Sequence, residues 1–239
     1  MSTDPDVEKP TTILLIGSGK LSKHLSYWFN LNEKKSSKLL TWDRHQDPHA
    51  LGRYAAQATH VWLAISDSAI ISFFEKYLIG HDARVVHFSG ALHDARLISA
   101  HPLMSFTHEI YEDNAYAKIC FALTGCDSLV QALPGFNNPF FQLKAEAKSL
   151  YHALCVVAGN FPQMLWNEVY KIAAEQNLPA EAFDFYIQQI TQNFLKLKGE
   201  ALTGPISRKD SSTINKNITA LAGKPLQSIY QSFTKEFSK

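Results

Sequence analysis

The run Thr12-Ile13-Leu14-Leu15-Ile16 passes directly into Gly17-Ser18-Gly19-Lys20-Leu21-Ser22. An apolar run that stops at a glycine suits a strand buried on both faces of a parallel sheet. Leu21, Leu25, Trp28 and Phe29 recur at helical spacing and predict a helix over 20–30. Strand, glycine turn and helix in this order make the pattern GxGxx[G/A]. Its first glycine permits the tight turn. Its second lets backbone amides approach a pyrophosphate, which the positive helix end also attracts. Ser22 occupies the third small position and keeps a small side chain there. Gly17, Ser18, Gly19, Lys20, Leu21 and Ser22 are therefore the candidate cradle of a nicotinamide dinucleotide. The competing reading is a glycine turn in an α/β fold that binds nothing.

Outward from this turn, short apolar runs predict strands over 38–42, 59–65, 84–88 and 119–124, with a helix over 68–79. Strands alternating with helices imply a doubly wound, mostly parallel sheet, because right-handed crossovers place the helices on its faces. Asp43 ends the second strand, 24 positions after Gly19. A carboxylate there accepts from the adenosine ribose hydroxyl, which favours NAD. Arg44 beside it, helped by His45, suits the 2′-phosphate of NADP. The two residues pull in opposite directions, and the sequence leaves both cofactors open. Ser66 follows the third strand and Ser89 the fourth. Ser89 either bonds the nicotinamide or the substrate, or forms a strand-end turn with Gly90.

The bulk composition narrows the class. The 239 residues are 46% hydrophobic and 19% charged, with a formal net charge of +1. This is the balance of an ordinary soluble protein, with no electrostatic pull toward nucleic acid. No apolar stretch approaches the roughly 20 residues that span a bilayer, so no membrane partner is expected. The polar segment 1–11 reads as a disordered lead-in rather than a secretory signal. Cys120, Cys126 and Cys155 show no CxxC spacing, and the ten histidines form no HExxH pair. No metal site is expected, and the compartment is the reducing cytoplasm.

From Phe141 onward the spacing turns helical. Leu143, Ala147, Leu150, Leu154 and Val157 make one face of a helix ending near Gly159-Asn160. Further helices are predicted from Phe161-Pro162, from Asn177-Leu178-Pro179, over 211–222 and over 225–237. Pro, Gly and Asn cluster over 133–139 and suggest a boundary. The expected domains are 12–138 for dinucleotide binding and 139–239 for substrate binding and dimerisation.

Several strings in this order resemble a family of bacterial Rossmann-like reductases whose helical C-terminal half has no assigned function. They are Gly17-Ser18-Gly19, Ser66-Asp67, Val86-His87-Phe88-Ser89-Gly90-Ala91, His101-Pro102-Leu103-Met104-Ser105-Phe106, Tyr151-His152-Ala153 with Asn160, and Thr203-Gly204-Pro205-Ile206-Ser207-Arg208-Lys209-Asp210. The family is related to pyrroline-5-carboxylate reductase, ketopantoate reductase and prephenate dehydrogenase. The resemblance implies a Rossmann domain followed by an all-α domain like that of 6-phosphogluconate dehydrogenase relatives. It also implies a homodimer built by the helical halves and a lean toward NADP. The chain departs from the family pattern at Asp43, where a small residue is usual, and at Lys209, where glycine is usual.

These readings converge on an NAD(P)-dependent oxidoreductase acting on a small polar, anionic metabolite. The alternative is a non-catalytic dinucleotide sensor. A nicotinamide carries only the hydride, so the protein must handle a proton. His101 is the first candidate, and His-Pro resembles the proton-handling pair of prephenate dehydrogenases. An unperturbed histidine would give a pH limb near 6.5. Its other reading is a turn anchor before Pro102. His152 and Asn160 are eight positions apart and share a face of a regular helix, which suits orientation of substrate oxygens. A core histidine and a helix-capping asparagine are the plain alternatives. Ser105 and Arg208 are read as substrate contacts, with a solvated loop as the alternative for Arg208.

Overall fold

A computed structural model describes residues 11–32 and 37–238. The lead-in expected over 1–11 lies outside them except for Thr11, which opens the first strand. The chain divides into two compact units, Met1–Val156 and Val157–Lys239.

The first unit runs β1 (Thr11–Ile16), α1 (Lys20–Leu31), β2 (Ser37–Trp42), α2 (Pro48–Ala55), β3 (His60–Leu63), α3 (Asp67–Tyr77) and β4 (Arg84–His87). It continues with β5 (Ile98–Pro102), a single turn α4 (Asp113–Tyr116), β6 (Phe121–Thr124), a single turn α5 (Leu129–Ala132), β7 (Phe140–Gln142) and α6 (Lys148–Cys155). The strands form one sheet in the order β2-β1-β3-β4-β5-β6-β7. Every neighbouring pair is parallel except β5 with β6. This is the doubly wound, mostly parallel sheet expected from the glycine turn.

The sheet is buried because its central strands are apolar on both faces. Ile13, Leu14, Leu15 and Ile16 are all fully buried. Side chains alternate across a strand. Ile13 and Leu15 accordingly pack with Trp28, Trp62, Phe121 and Phe136 on one face. Leu14 and Ile16 pack with Leu51, Val61, Ile70 and Val85 on the other. The same alternation places His87, Ser99 and His101 on the second face, in step with Val85 and Leu97.

Two elements differ from the sequence reading. His101 and Pro102 lie in β5, a strand absent from those the spacing predicts, and not in a turn. Ser99, Ala100, His101 and Pro102 pair antiparallel with Thr124, Leu123, Ala122 and Phe121, and this non-local pairing makes the strand. Residues 140–142 likewise form β7 where helical spacing is read. The Leu143 amide reaches the Leu123 carbonyl at 2.7 Å, so pairing with β6 overrides the local pattern. The helix begins only at Lys148.

The second unit holds α7 (Phe161–Glu175), α8 (Glu181–Leu197), α9 (Ser211–Ala220) and α10 (Leu226–Phe237). Asp210 caps α9, its Oδ1 accepting from the Thr213 amide at 3.0 Å. Lys209, the position where the resembled family has glycine, has φ +55°. That is the left-handed region glycine enters at no steric cost. Among the described residues of this unit, the buried hydrophobic side chains are Ala173 and Ile214 alone.

Candidate functional site

The glycine turn opens a cleft of about 660 Å³ at the carboxyl ends of β1, β2 and β3. Gly17, Ser18, Gly19, Lys20 and Leu21 line it, facing Asp43, Arg44, Ser66 and Phe73. Gly17 has φ +126°, and a Cβ there would lie 2.3 Å from the Ala64 carbonyl oxygen, so only glycine fits. A Cβ on Gly19 would meet nothing within 4 Å, which leaves the space over the turn open. Ser22 does not line the cleft. It is buried behind the turn, its hydroxyl donating to the Gly17 carbonyl at 2.6 Å, so it braces the loop from below. Helix α1 starts with neither a side-chain cap nor an acidic residue in its first turn. Its first amides and its positive end are thus left for an anion. These features fit the pyrophosphate of a dinucleotide. Asp43 accepts from the His45 amide at 2.8 Å, and Arg44 stands exposed on the same wall.

A second cluster forms where β4 and β5 end and α6 begins. Lys148, in the first turn of α6, is fully buried. Its ammonium donates to Ser99 Oγ at 2.6 Å and to the Ser89 carbonyl at 3.2 Å. The Ser89 hydroxyl accepts from the Leu92 amide at 3.0 Å and donates its proton to Asp67, at the start of α3. Burial pulls Lys148 down from its ordinary range to about 8, against the opposing pull of Asp67. His101 Nδ1 pairs with the Tyr151 hydroxyl at 2.9 Å, and the His152 ring centre lies 6.3 Å from that of His101. Burial, then the Lys148 and His152 charges, push His101 down to about 4. The Tyr151 phenol is raised by burial and by Cys155 beside it. Gly90 packs so close that a Cβ on it would lie 2.6 Å from His152 Cδ2 and 3.0 Å from His101 Nε2. His87 is buried with its Nδ1 accepting from the Ser89 amide and its Nε2 unpartnered, and burial holds it near 4.

Residues 119–237 match the protein family described as "Domain of unknown function (DUF2520)". This stretch is a DUF2520 domain. Among solved structures, the chain is similar to a Bacteroides fragilis protein designated an NADP oxidoreductase, at 18% identity and a TM-score of 0.75. That match covers 96% of this chain and 98% of the other. It is similar to Plasmodium falciparum pyrroline carboxylate reductase with NADP bound, at 11% identity and a TM-score of 0.54, covering 96% and 100% of the two chains. It is also similar to A. aeolicus prephenate dehydrogenase in complex with hydroxyphenyl propionate and NAD+, at 12% identity and a TM-score of 0.52, covering 96% and 98%. No curated protein sequence matches the chain. At such identities the likeness is one of fold alone: a Rossmann-like sheet followed by the stretch that matches DUF2520.

Two residues of the DUF2520 domain, Lys148 and Tyr151, belong to the cluster although the sequence reading gave neither a role. A lysine one turn into an amphipathic helix looks like any solvated cation, and nothing local announces its burial. The i, i+4 spacing of Lys148 and His152 was the available signal. Ser105 is exposed, and its carbonyl accepts from the Tyr111 hydroxyl. In the second unit, Asn160 is exposed and makes no capping bond at the start of α7. It closes a π-helical segment, Val156–Asn160, so eight positions from His152 no longer imply a shared helical face. Arg208 is exposed, with its amide bonded to the Gly204 carbonyl at 3.2 Å. Among the described residues, no group of three or more His, Cys, Asp or Glu could hold a metal ion. No helix among them is long and apolar enough to cross a membrane.

Proposed function

We propose that the protein is an NAD(P)-dependent oxidoreductase acting on a small polar, anionic metabolite. The observation that carries this reading is the buried Lys148 ammonium at the carboxyl edge of the sheet that also forms the glycine-lined cleft. Burying an ammonium is costly, and a pure dinucleotide sensor has no use for a lysine poised near neutrality. When bound, a nicotinamide dinucleotide exchanges a hydride with a substrate carbon. The amides of residues 18–21 would hold its pyrophosphate, and Asp43 with Arg44 its adenosine ribose.

Lys148, titrating near 8, is the group suited to hold or release the substrate proton. His101 takes a different part from the acid–base role expected of it. Held near 4, it is neutral at physiological pH and offers a fixed hydrogen bond rather than a transferable proton. Tyr151 orients it through Nδ1. The pH limb of turnover should accordingly fall near 8 instead of near 6.5. Arg208, Ser105, His152 and Asn160 remain the proposed substrate contacts.

In this reading NADP is preferred. The Asp43 carboxylate is engaged by the His45 amide, while Arg44 is exposed on the cleft wall with its Nε donating to His45 Nε2 at 3.5 Å. Arg44→Ala then weakens NADPH selectively in calorimetry, whereas equal loss for NADH and NADPH removes the preference. A cytoplasmic location is part of this proposal. We further propose a homodimer, since the helical unit leaves Phe161, Met164, Phe185, Phe194 and Phe233 exposed. Oxidation of NADH and NADPH in the presence of small keto acids and imines tests the function. Turnover that Lys148→Met abolishes supports it. Tight dinucleotide binding without turnover of any such compound gives the protein to the sensor reading.

A further inference from the structure

Among the described residues, the buried cation at Lys148 has no carboxylate in contact with it. Its partners are neutral oxygens, Ser99 Oγ and the Ser89 carbonyl, and it makes no direct ion pair. The nearest source of negative charge is reached through one residue. Ser89 donates a hydrogen bond from its hydroxyl to the Asp67 carboxylate and turns its carbonyl to Lys148. The Leu92 amide occupies the serine oxygen from the other side at 3.0 Å, which aims the hydroxyl at the carboxylate. Ser99 closes the arrangement, accepting from Lys148 and donating to the same Ser89 carbonyl at 3.3 Å.

We propose that Asp67 is a positioning residue, an indirect counter-ion clamped by Ser89 that keeps Lys148 protonated at neutral pH. The inference rests on Lys148 being the proton-handling group.

The surroundings leave this work to Asp67. The titratable groups of this cluster are Asp67 on α3, His87 on β4, His101 on β5 and Tyr151 and His152 on α6, with His93 and Asp94 acting on His87 from the loop after β4. His87 and His101 are held near 4 and carry no charge at neutral pH. Asp67 is the charge that opposes the effect of burial on Lys148. A carboxylate one residue away favours the ammonium without forming a contact pair. A direct pair would hold the proton too tightly for transfer. A clamped, indirect one leaves Lys148 charged and still able to give its proton up.

The test is an NMR titration of the Lys148 side chain in uniformly labelled protein without dinucleotide or substrate, its signal assigned by its loss in Lys148→Arg. Asp67→Asn should lower the midpoint by at least about one pH unit, tenfold in proton affinity. Asp67→Glu should bring it back toward the wild-type value. Ser89→Ala releases the clamp and should lower the midpoint in the same direction. Should Asp67→Asn not fold, Ser89→Ala alone carries the test. A wild-type midpoint in either Asp67→Asn or Ser89→Ala overturns the proposal. Because nothing is bound or turned over in this experiment, its failure is separate from any failure to bind or oxidise NADPH.

Discussion

The Tyr151 hydroxyl lies 2.9 Å from His101 Nδ1 and ties α6 to the strand that carries the histidine. The rings meet edge to face, with centres 5.5 Å apart. Because Nδ1 is occupied, the imidazole presents Nε2 to its surroundings in a fixed orientation. Tyr151→Phe removes this partner and little volume. It should leave the thermal midpoint within a few degrees, since one net hydrogen bond is worth about 1 kcal/mol. The side-chain nitrogen shifts of His101 should change from one dominant tautomer to a mixture. Unaltered shifts would mean the phenol does not set the ring's state.

The two glycines of the first turn should fail in different ways. Gly17→Ala forces a Cβ against the Ala64 carbonyl at a positive φ, and should destabilise the protein by several kcal/mol, on the order of the costliest single substitutions. Gly19→Val meets open space and should fold with near-normal stability. It should nevertheless lose most of its dinucleotide affinity, because the side chain fills the place of the phosphate. Calorimetry and thermal denaturation together separate the cases; a folded Gly19→Val that still binds tightly denies the cradle.

Acid should destabilise the fold early. His87 and His101 sit near 4 in the native state against 6.5 for a free imidazole. Above pH 6.5 neither contributes. As pH falls from 6.5 toward 4, the unfolded chain takes up protons that the native state refuses, and stability is lost. Each imidazole adds a slope of up to about 1.4 kcal/mol per pH unit in that window. Lys148 works at the other end: with its native value near 8, raising the pH from 8 to 10.5 adds stability. Urea unfolding across pH 4–7 should be shallower in the His87→Gln, His101→Gln double variant. An identical slope in the wild type would refute the depressed values.

The proposed dimer has its own measurement. Phe185 is 71% exposed and Phe237 68% exposed, in a unit whose own buried side chains are few. Light scattering at micromolar concentration should give twice the 26.8 kDa chain mass. A monomer with the same exposed aromatics would remove the second copy from the proposal.

The sequence by itself determined the glycine turn, the strands around it and the helices of the C-terminal half. Those features follow from periodicity and backbone sterics within a dozen residues, as at Gly17, whose φ only glycine tolerates. Asp210 as the cap of α9 obeys the same kind of local rule. Only the tertiary structure decided β5 and β7, which exist because β6 pairs with both. It alone joined Lys148 to Ser99 and Ser89, and His101 to Tyr151, residues about 50 positions apart in the chain. Their proton affinities depend on burial and on neighbouring charge, and neither exists until distant segments have packed. A lysine that looks solvated in the sequence becomes a buried cation for that reason.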